Sequence, residues 1–315
     1  MKKNFAVVSI TWMVLLGVWT FSSLEYISLA DLGRAMAGVF GVESVSVEDL
    51  RSAYARAQAG GEKVKVLIVP GHDQRNWGTE YAGLREEELN RMVAEALAAS
   101  FAENSAFEVT LLRDKNGYLA DFEQSFEEQK EQIRAEVQRK KKIMNDLLAA
   151  GAVNRADGVP HNNAALSTAL RLYAANGWAN AKGYEVVLHI HFNDYGGRKK
   201  GTVGKYSGFA VYIPEAQFSN ARASRALGEA LVASLAKKFT PSNLPKEGGG
   251  TGLVPDQELI AVGAYNTLDT AAALIEYGYI YEPGLHDPAR RPALVRDYAR
   301  ATYEALETFF ISLRI

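Results

Sequence analysis

The stretch VVLHIHFND at residues 186–194 places two histidines at alternate positions of an apolar run and follows them with an asparagine. Successive side chains of a β-strand point to opposite faces, so His189, His191 and Asn193 are predicted to share one face. Neutral imidazole is the commonest metal ligand in proteins. The pattern therefore indicates a metal site at a strand end, and a pair of hydrogen-bonded core histidines is the alternative interpretation.

Three further candidate residues lie where other predicted elements begin or end. His72 follows the apolar strand of KVKVLIVPGHD, Glu86 lies in the first turn of the next helix, and Glu276 lies at the end of the last strand. In a mostly parallel sheet these positions meet at the carboxyl edge, where ligands bind. Two histidines and one carboxylate with an open position form a well-known hydrolytic zinc arrangement, and a second carboxylate can accept a proton from water.

The composition limits which chemistry is available to the chain. Its 315 residues include no cysteine, and the formal net charge is -2. Disulfides, thiolate ligands and a cysteine nucleophile are therefore excluded, so any metal must be held by histidine and carboxylate side chains. The charge gives no reason to expect a nucleic-acid partner.

The N-terminal segment differs from the rest in being continuously apolar. The stretch FAVVSITWMVLLGVWTFSSL at residues 5–24 carries no charge, and as a helix it would reach about 30 Å, the thickness of a bilayer core. Lysines precede it and favour a cytoplasmic N-terminus. We predict that residues 1–24 are a transmembrane anchor, with a cleaved secretory signal as the alternative. The first predicts a membrane-anchored, extracytoplasmic domain and the second a secreted one.

Strand and helix patterns alternate along the remaining chain. Strands are predicted at residues 66–69, 107–113, 186–194, 207–214 and 270–280. Helices are predicted at residues 85–101, 166–178, 218–239 and 288–313. This alternation predicts an α/β fold with a mostly parallel twisted sheet flanked by helices. Residues 25–62, with a helix over 47–61, are predicted to be a linker to the main domain at 63–315.

One segment, at about residues 120–151, does not fit this alternation. It is about 30 residues of helix formers without a break, and its apolar residues repeat every eleven positions along one narrow stripe. Burial on one side only is therefore predicted. The inserted helix is interpreted as an elaboration packed on its own domain, or as an arm that covers the active site or docks a regulatory protein.

The segments that carry the four candidate residues resemble the motifs of a known family. In chain order they are VPGHD, GLREEELN, LHIHFN and ALIEYGYI, and they look like the four motifs of the zinc-dependent N-acetylmuramoyl-L-alanine amidases of the Amidase_3 type. The resemblance covers about Lys63 to the C-terminus and is interrupted by the inserted helix. It implies a phosphorylase/hydrolase-like amidase fold and a catalytic amidase domain at 63–315.

The resemblance also implies a role for each candidate residue. His72, Glu86 and His191 match the family's zinc ligands, and Glu276 matches its catalytic glutamate. Glu86 stands four residues before Asn90, which is where the family's motif places its carboxylate ligand.

Two features depart from the family pattern. The family usually has glycines where residues 73–76 follow His72 here, and it usually has a serine at the position of His189. We expect His189 to orient His191, stabilise an oxyanion, replace a ligand, or form a hydrogen bond beside the site. Asn193 is expected to support a metal ligand from beside the site, to contact substrate, or to form a structural hydrogen bond. Glu87 and Glu88, the neighbours of Glu86, are predicted to face solvent.

The reaction implied by the resemblance is hydrolysis of the amide between N-acetylmuramic acid and L-alanine in peptidoglycan, with Glu276 taking a proton from water. Two alternatives remain open. One is a zinc peptidase or amidase that acts on another cell-wall peptide. The other is an inactive, membrane-tethered module that binds the wall.

Overall fold

The computed structural model describes residues 44–102, 104–159 and 164–312. The predicted anchor at residues 1–24 and the first part of the predicted linker lie outside these ranges. Within the ranges, no helix has the length and hydrophobicity that a membrane span requires.

A mixed α/β architecture surrounds one central sheet. The described strands are β1 (Val64–Pro70), β2 (Glu80–Tyr81), β3 (Leu84–Arg85), β4 (Phe107–Leu111), β5 (Arg113–Asp114), β6 (Gly117–Tyr118), β7 (Val186–Asn193), β8 (Ala210–Pro214), β9 (Leu253–Asp256) and β10 (Ala271–Tyr279). The described helices are α1 (Val47–Gln58), α2 (Glu86–Ser100), α3 (Ala120–Ala149), α4 (Leu166–Lys182), α5 (Ala221–Leu235), α6 (Pro283–His286) and α7 (Arg291–Ser312).

The central sheet is mostly parallel, as predicted. Its strand order within the described residues is β4-β1-β7-β10-β8-β9. Neighbouring strands run parallel except for β8 and β10, which pair antiparallel. The strands β1, β7 and β10 are buried along nearly their whole length, as expected for parallel strands covered on both faces.

Alternate side chains of the sheet enter two different apolar layers. On one face, Val66 and Ile68 of β1 pack into a core shared with α1, α2, α5 and α7. On the other face, Leu67 and Val69 pack into a core shared with α3 and α4. His189, His191 and Glu276 alternate with residues of the first core, so their side chains lie on the α3 and α4 side of the sheet.

The helix predicted inside the linker, α1, packs against the domain. Its N-terminus is closed by a capping box between Ser46 and Asp49, which satisfies backbone donors that a helix end leaves free. Tyr54 is buried, with its ring centroid 5.7 Å from that of Phe107 and 5.1 Å from that of Phe310. The folded unit therefore includes residues that lie before the predicted boundary at residue 63.

The inserted helix α3 is present and buries the predicted stripe. Phe122, Phe126, Val137 and Met144 are buried along one side, and the first two belong to the core under α4. Glu123 adds an ion pair to Arg171 of α4. Packing on its own domain is thus the observed arrangement, and a regulatory partner on the exposed side of α3 stays a prediction.

Candidate active site

The four candidate residues reach the site from four different elements. His72 follows β1, Glu86 begins α2, His191 lies on β7 and Glu276 lies on β10. In the register of the two central strands, Glu276 is directly opposite His191. Adjacent positions of paired strands hold their Cβ atoms about 5 Å apart, so the sheet itself places the two side chains together.

Two of these residues, His72 and His191, each place a ring nitrogen next to the same carboxylate oxygen of Glu86. The Oε1 atom of Glu86 lies 3.2 Å from Nε2 of His72 and 3.0 Å from Nδ1 of His191. The candidate ligand atoms of the three residues all lie within 4.8 Å of one another. Two imidazole nitrogens and one carboxylate oxygen at this separation can hold a metal ion.

Glu86 is fixed in place by donors from three directions. The backbone N–H groups of Thr79 and Phe192 donate to its two oxygens at 3.0 and 3.4 Å. The amide of Asn90 donates to Oε1 at 3.4 Å and to the carbonyl of Gly71 at 2.9 Å. The carboxylate is therefore oriented before any ion arrives.

Glu86 is a buried carboxylate, and positively charged neighbours stabilise its ionised form. Burial would raise the pKa of its carboxyl, but the charge of His72 and hydrogen bonds from His191 and His72 hold that pKa well below its usual range. Burial likewise works against the ionised form of His72, yet Glu86 raises the pKa of that imidazole. Within the described residues, no lysine or arginine forms an ion pair with Glu86. A divalent cation fits this donor set, and zinc accepts such a set.

Gly71, which lies inside the VPGHD motif, and Gly78 make room for the candidate ligands. A Cβ atom on Gly71 would lie 2.2 Å from the Nε2 and Cε1 atoms of His191. One on Gly78, where φ is +75°, would lie 2.2 Å from Oε2 of Glu86 and 2.6 Å from Cδ2 of His72. The only signal in the sequence is the Pro-Gly break before His72.

Substitution of Gly71 by alanine is expected to weaken metal binding at least about tenfold, because the added methyl group must displace the imidazole of His191, and even indirect disturbance of a ligand has effects of that size. Titration of the apoprotein with zinc measures the change. Gly177→Ala is the matched control, since a Cβ atom there meets nothing within 4 Å. Equal zinc affinity of the Gly71 variant and the unmodified chain would contradict this prediction.

Glu276 lies beside the ligand set without belonging to the cluster. Its Oε2 atom is buried and has no hydrogen-bond partner within the described part of the chain. Burial, followed by the negative charges of Glu86 and Glu247, raises the pKa of this carboxyl well above its ordinary range. A carboxyl group with a free oxygen and a raised proton affinity is suited to accept a proton.

Asn193 is held by a buried carboxylate that sequence analysis missed. Its amide donates to Glu247, which is almost fully buried. Glu247 also accepts hydrogen bonds from the hydroxyls of Tyr212 at 2.8 Å, Tyr279 at 3.0 Å and Ser242. The Asn193 amide therefore forms a structural hydrogen bond, and its contact with substrate stays a prediction.

His189 does not join the cluster, and it forms no hydrogen bond with His191. Its side chain is fully buried, and neither ring nitrogen has a partner within the described residues. Burial, with a smaller contribution from His191, lowers the pKa of this imidazole to about 3. In register it stands between Val69 and Leu274, so it is a neutral side chain in apolar surroundings.

Substitution of His189 by leucine is expected to leave zinc binding intact and to raise the Tm by several degrees. Each unsatisfied buried polar atom costs about 1–3 kcal/mol, and 1 kcal/mol corresponds to roughly 2–4 °C in a domain of this size. Thermal unfolding and zinc titration test both parts. His286→Leu, which removes a 2.7 Å hydrogen bond to the carbonyl of Ile280, should instead lower the Tm. A fall in zinc affinity of the His189 variant would show that this imidazole supports the site.

The prediction that Glu87 faces solvent is wrong. Glu87 is buried, and its Oε2 atom lies 3.4 Å from Nη1 of Arg113. The other guanidinium nitrogen of Arg113 donates to the carbonyls of Gly71 and Glu87, at 3.3 Å each. This pair therefore braces the backbone just before His72. In the sequence, the one indication of this ion pair is the arginine that ends the predicted strand FEVTLLR.

Comparisons with known proteins give a family match and two similar folds. Residues 66–308 match the family Amidase_3, described as N-acetylmuramoyl-L-alanine amidase. The structure of the N-acetylmuramyl-L-alanine amidase Ami1 from Mycobacterium smegmatis is similar, with 15% identity, a TM-score of 0.50, and coverage of 79% of this chain and 97% of that one. The CwlD amidase from Clostridioides difficile, solved in complex with the GerS lipoprotein, shows 14% identity, a TM-score of 0.50, and coverage of 79% and 100%. No curated protein matches the sequence.

Proposed function

The chain belongs to the Amidase_3 family of N-acetylmuramoyl-L-alanine amidases, and from that premise we propose that it is a zinc-dependent hydrolase of the amide between N-acetylmuramic acid and L-alanine in peptidoglycan. His72, Glu86 and His191 are the proposed zinc ligands, and Glu276 is the proposed catalytic glutamate. The observation that carries the proposal is the position of Glu276, opposite His191 in the strand register and close enough to Glu86 for the charge of that carboxylate to act on it.

Each proposed residue has a task that its surroundings suit. Bound zinc would supply Lewis-acid polarisation of the amide carbonyl and of water. Glu276 takes the proton of the attacking water and passes it to the departing nitrogen of L-alanine. Asn90 keeps Glu86 aligned and ties it to the backbone beside His72.

The place of action follows from the substrate and from the N-terminal segment. Peptidoglycan lies outside the cytoplasmic membrane, so the domain must act there. We propose that residues 1–24 tether it to the membrane, with secretion after signal cleavage as the alternative. Fractionation of cells that express a C-terminally tagged chain distinguishes the two: a tethered chain sediments with membranes at its full mass, and a secreted chain is soluble and shorter.

The experiment that tests the reaction uses purified sacculi and measures both zinc content and the new chain ends. Cleavage at the proposed bond releases stem peptides that begin with L-alanine, together with glycan strands free of peptide. A peptidase acting on another wall peptide would instead expose amino groups inside the stem peptide. An inactive binding module would sediment with sacculi and release nothing.

A further inference from the structure

A pocket of about 400 Å³ opens directly beside His72. It lies between the loop that follows this histidine, the first three turns of α3 and the start of α4. A volume of this size is within the range of small-ligand sites. Helix α3 is the insertion that interrupts the family resemblance. The side of the pocket that α3 forms is therefore a feature of this chain rather than of the family pattern.

Part of the pocket lining is apolar, and one of its charged side chains is held by an ion pair. Val69, Leu112, Phe122 and Ala175 line its depth, and all four are buried. Arg171 is fixed at one side, because its guanidinium pairs with Glu123. The same guanidinium stacks 4.4 Å from the ring of Phe126 on α3.

Three cations line the pocket, and within the described residues Lys130 and Arg171 form ion pairs whereas Arg75 acts on Glu123 only through its charge. The carboxylate of Asp73 accepts hydrogen bonds from the backbone of Arg75 and Asn76 and from the hydroxyl of Tyr118. Lys130 has its own anion, Glu127, at 3.3 Å.

Arg75 lines the pocket and is exposed. Within the described residues its guanidinium forms no hydrogen bond or ion pair. A guanidinium beside an apolar pocket is a natural receptor for a carboxylate, because its fork of donors matches the two oxygens.

We propose that this pocket binds the peptide portion of the substrate and that Arg75 receives a carboxylate of that peptide. The inference rests on the proposed function, since it assumes that an amide is cleaved beside His72. An amide seated there has a peptide on its nitrogen side, and a partly apolar pocket with the guanidinium of Arg75 outside any ion pair suits a small apolar residue followed by an acidic one. The inserted helix α3 then forms one side of the substrate site and helps to select the peptide that binds there.

The test compares two soluble substrates that differ only in the charge of one residue. One is N-acetylmuramoyl-L-alanyl-D-glutamate, and the other carries carboxamides in place of the glutamate carboxylates. Arg75→Gln should lower kcat/KM for the acidic substrate by roughly 10- to 100-fold, as expected for loss of a charged hydrogen bond, mainly through KM. The same variant should change kcat/KM for the amidated substrate less than about threefold. Arg51→Gln, at an exposed position of α1 on the other side of the sheet, is the matched control.

A second pair of variants tests the wall formed by α3. Phe126→Ala should raise KM for both substrates and leave kcat unchanged. Met144→Ala removes a buried side chain of similar energetic weight from the same stripe, but far from the pocket, and should leave KM unchanged. Thermal unfolding of both variants confirms that they are folded under assay conditions.

The possible outcomes separate the two proposals. If the unmodified chain cleaves neither substrate nor sacculi, the proposed function fails and this inference fails with it. If the unmodified chain is active but Arg75→Gln affects both substrates equally, or neither, the carboxylate receptor is wrong while the function stands. Equal KM values for Phe126→Ala and Met144→Ala would exclude α3 from the substrate site.

Discussion

Substitution of Glu276 by glutamine is expected to lower kcat by about 10²- to 10⁴-fold, the range that a positioned general acid or base contributes. Glutamine preserves the shape of the side chain but can neither take a proton from water nor pass one to the leaving nitrogen. The three residues that could hold a metal ion do not include Glu276, so bound zinc should stay near its original amount.

The rate is measured as release of L-alanine-terminated peptides from purified sacculi, with zinc content determined on the same preparation. Glu229→Gln removes an exposed carboxylate of α5 and should change neither quantity. Full activity of the Glu276 variant would remove this residue from its proposed role. Loss of zinc together with activity would make Glu276 part of the metal site.

Substitution of Glu86 by glutamine should abolish stoichiometric zinc binding and reduce activity at least about a hundredfold. Loss of a group that only orients a metal ligand already costs about 10- to 100-fold in affinity or activity, and Glu86 supplies the one anion between the two histidines. The backbone N–H groups of Thr79 and Phe192 now donate to the two carboxylate oxygens. In the glutamine variant one of them would face the amide NH2 group, which cannot accept a hydrogen bond.

Zinc titration of the apoprotein and the sacculus assay give the two readouts for this variant. Glu88→Gln is the matched control, because it changes the same turn of α2 and the same charge at the helix N-terminus. We expect that control to bind zinc normally. If the Glu86 variant also binds zinc with unchanged affinity, the three-residue centre is not the metal site.

The alternation of elements and the four candidate residues could be predicted because each depends on local pattern. The apolar run of β1 and the strand periodicity around His191 are encoded within a few residues. The short edge strand β9 was missed because it contains Pro255, a residue that weakens a strand assignment and is tolerated at sheet edges. The antiparallel direction of β8 depends on the route of the chain between elements, which periodicity does not encode.

The supporting residues of the site could not be predicted because their roles depend on distant partners. Gly71 is constrained by the ring of His191, which belongs to another strand. Glu87 was predicted to face solvent because nothing within its own helix indicates the guanidinium of Arg113. Glu247 comes from a glycine-rich segment, and its hydrogen bonds reach three different strands and a loop. Such contacts appear only when the whole sheet has formed.

The strand order of the sheet has a consequence for a chain that is still folding. The three proposed ligands are complete once β7 has paired with β1, whereas Glu276 arrives with β10, the last strand of the sheet in chain order. A sheet that has not yet gained β10 would hold all three proposed ligands and lack the proposed catalytic glutamate.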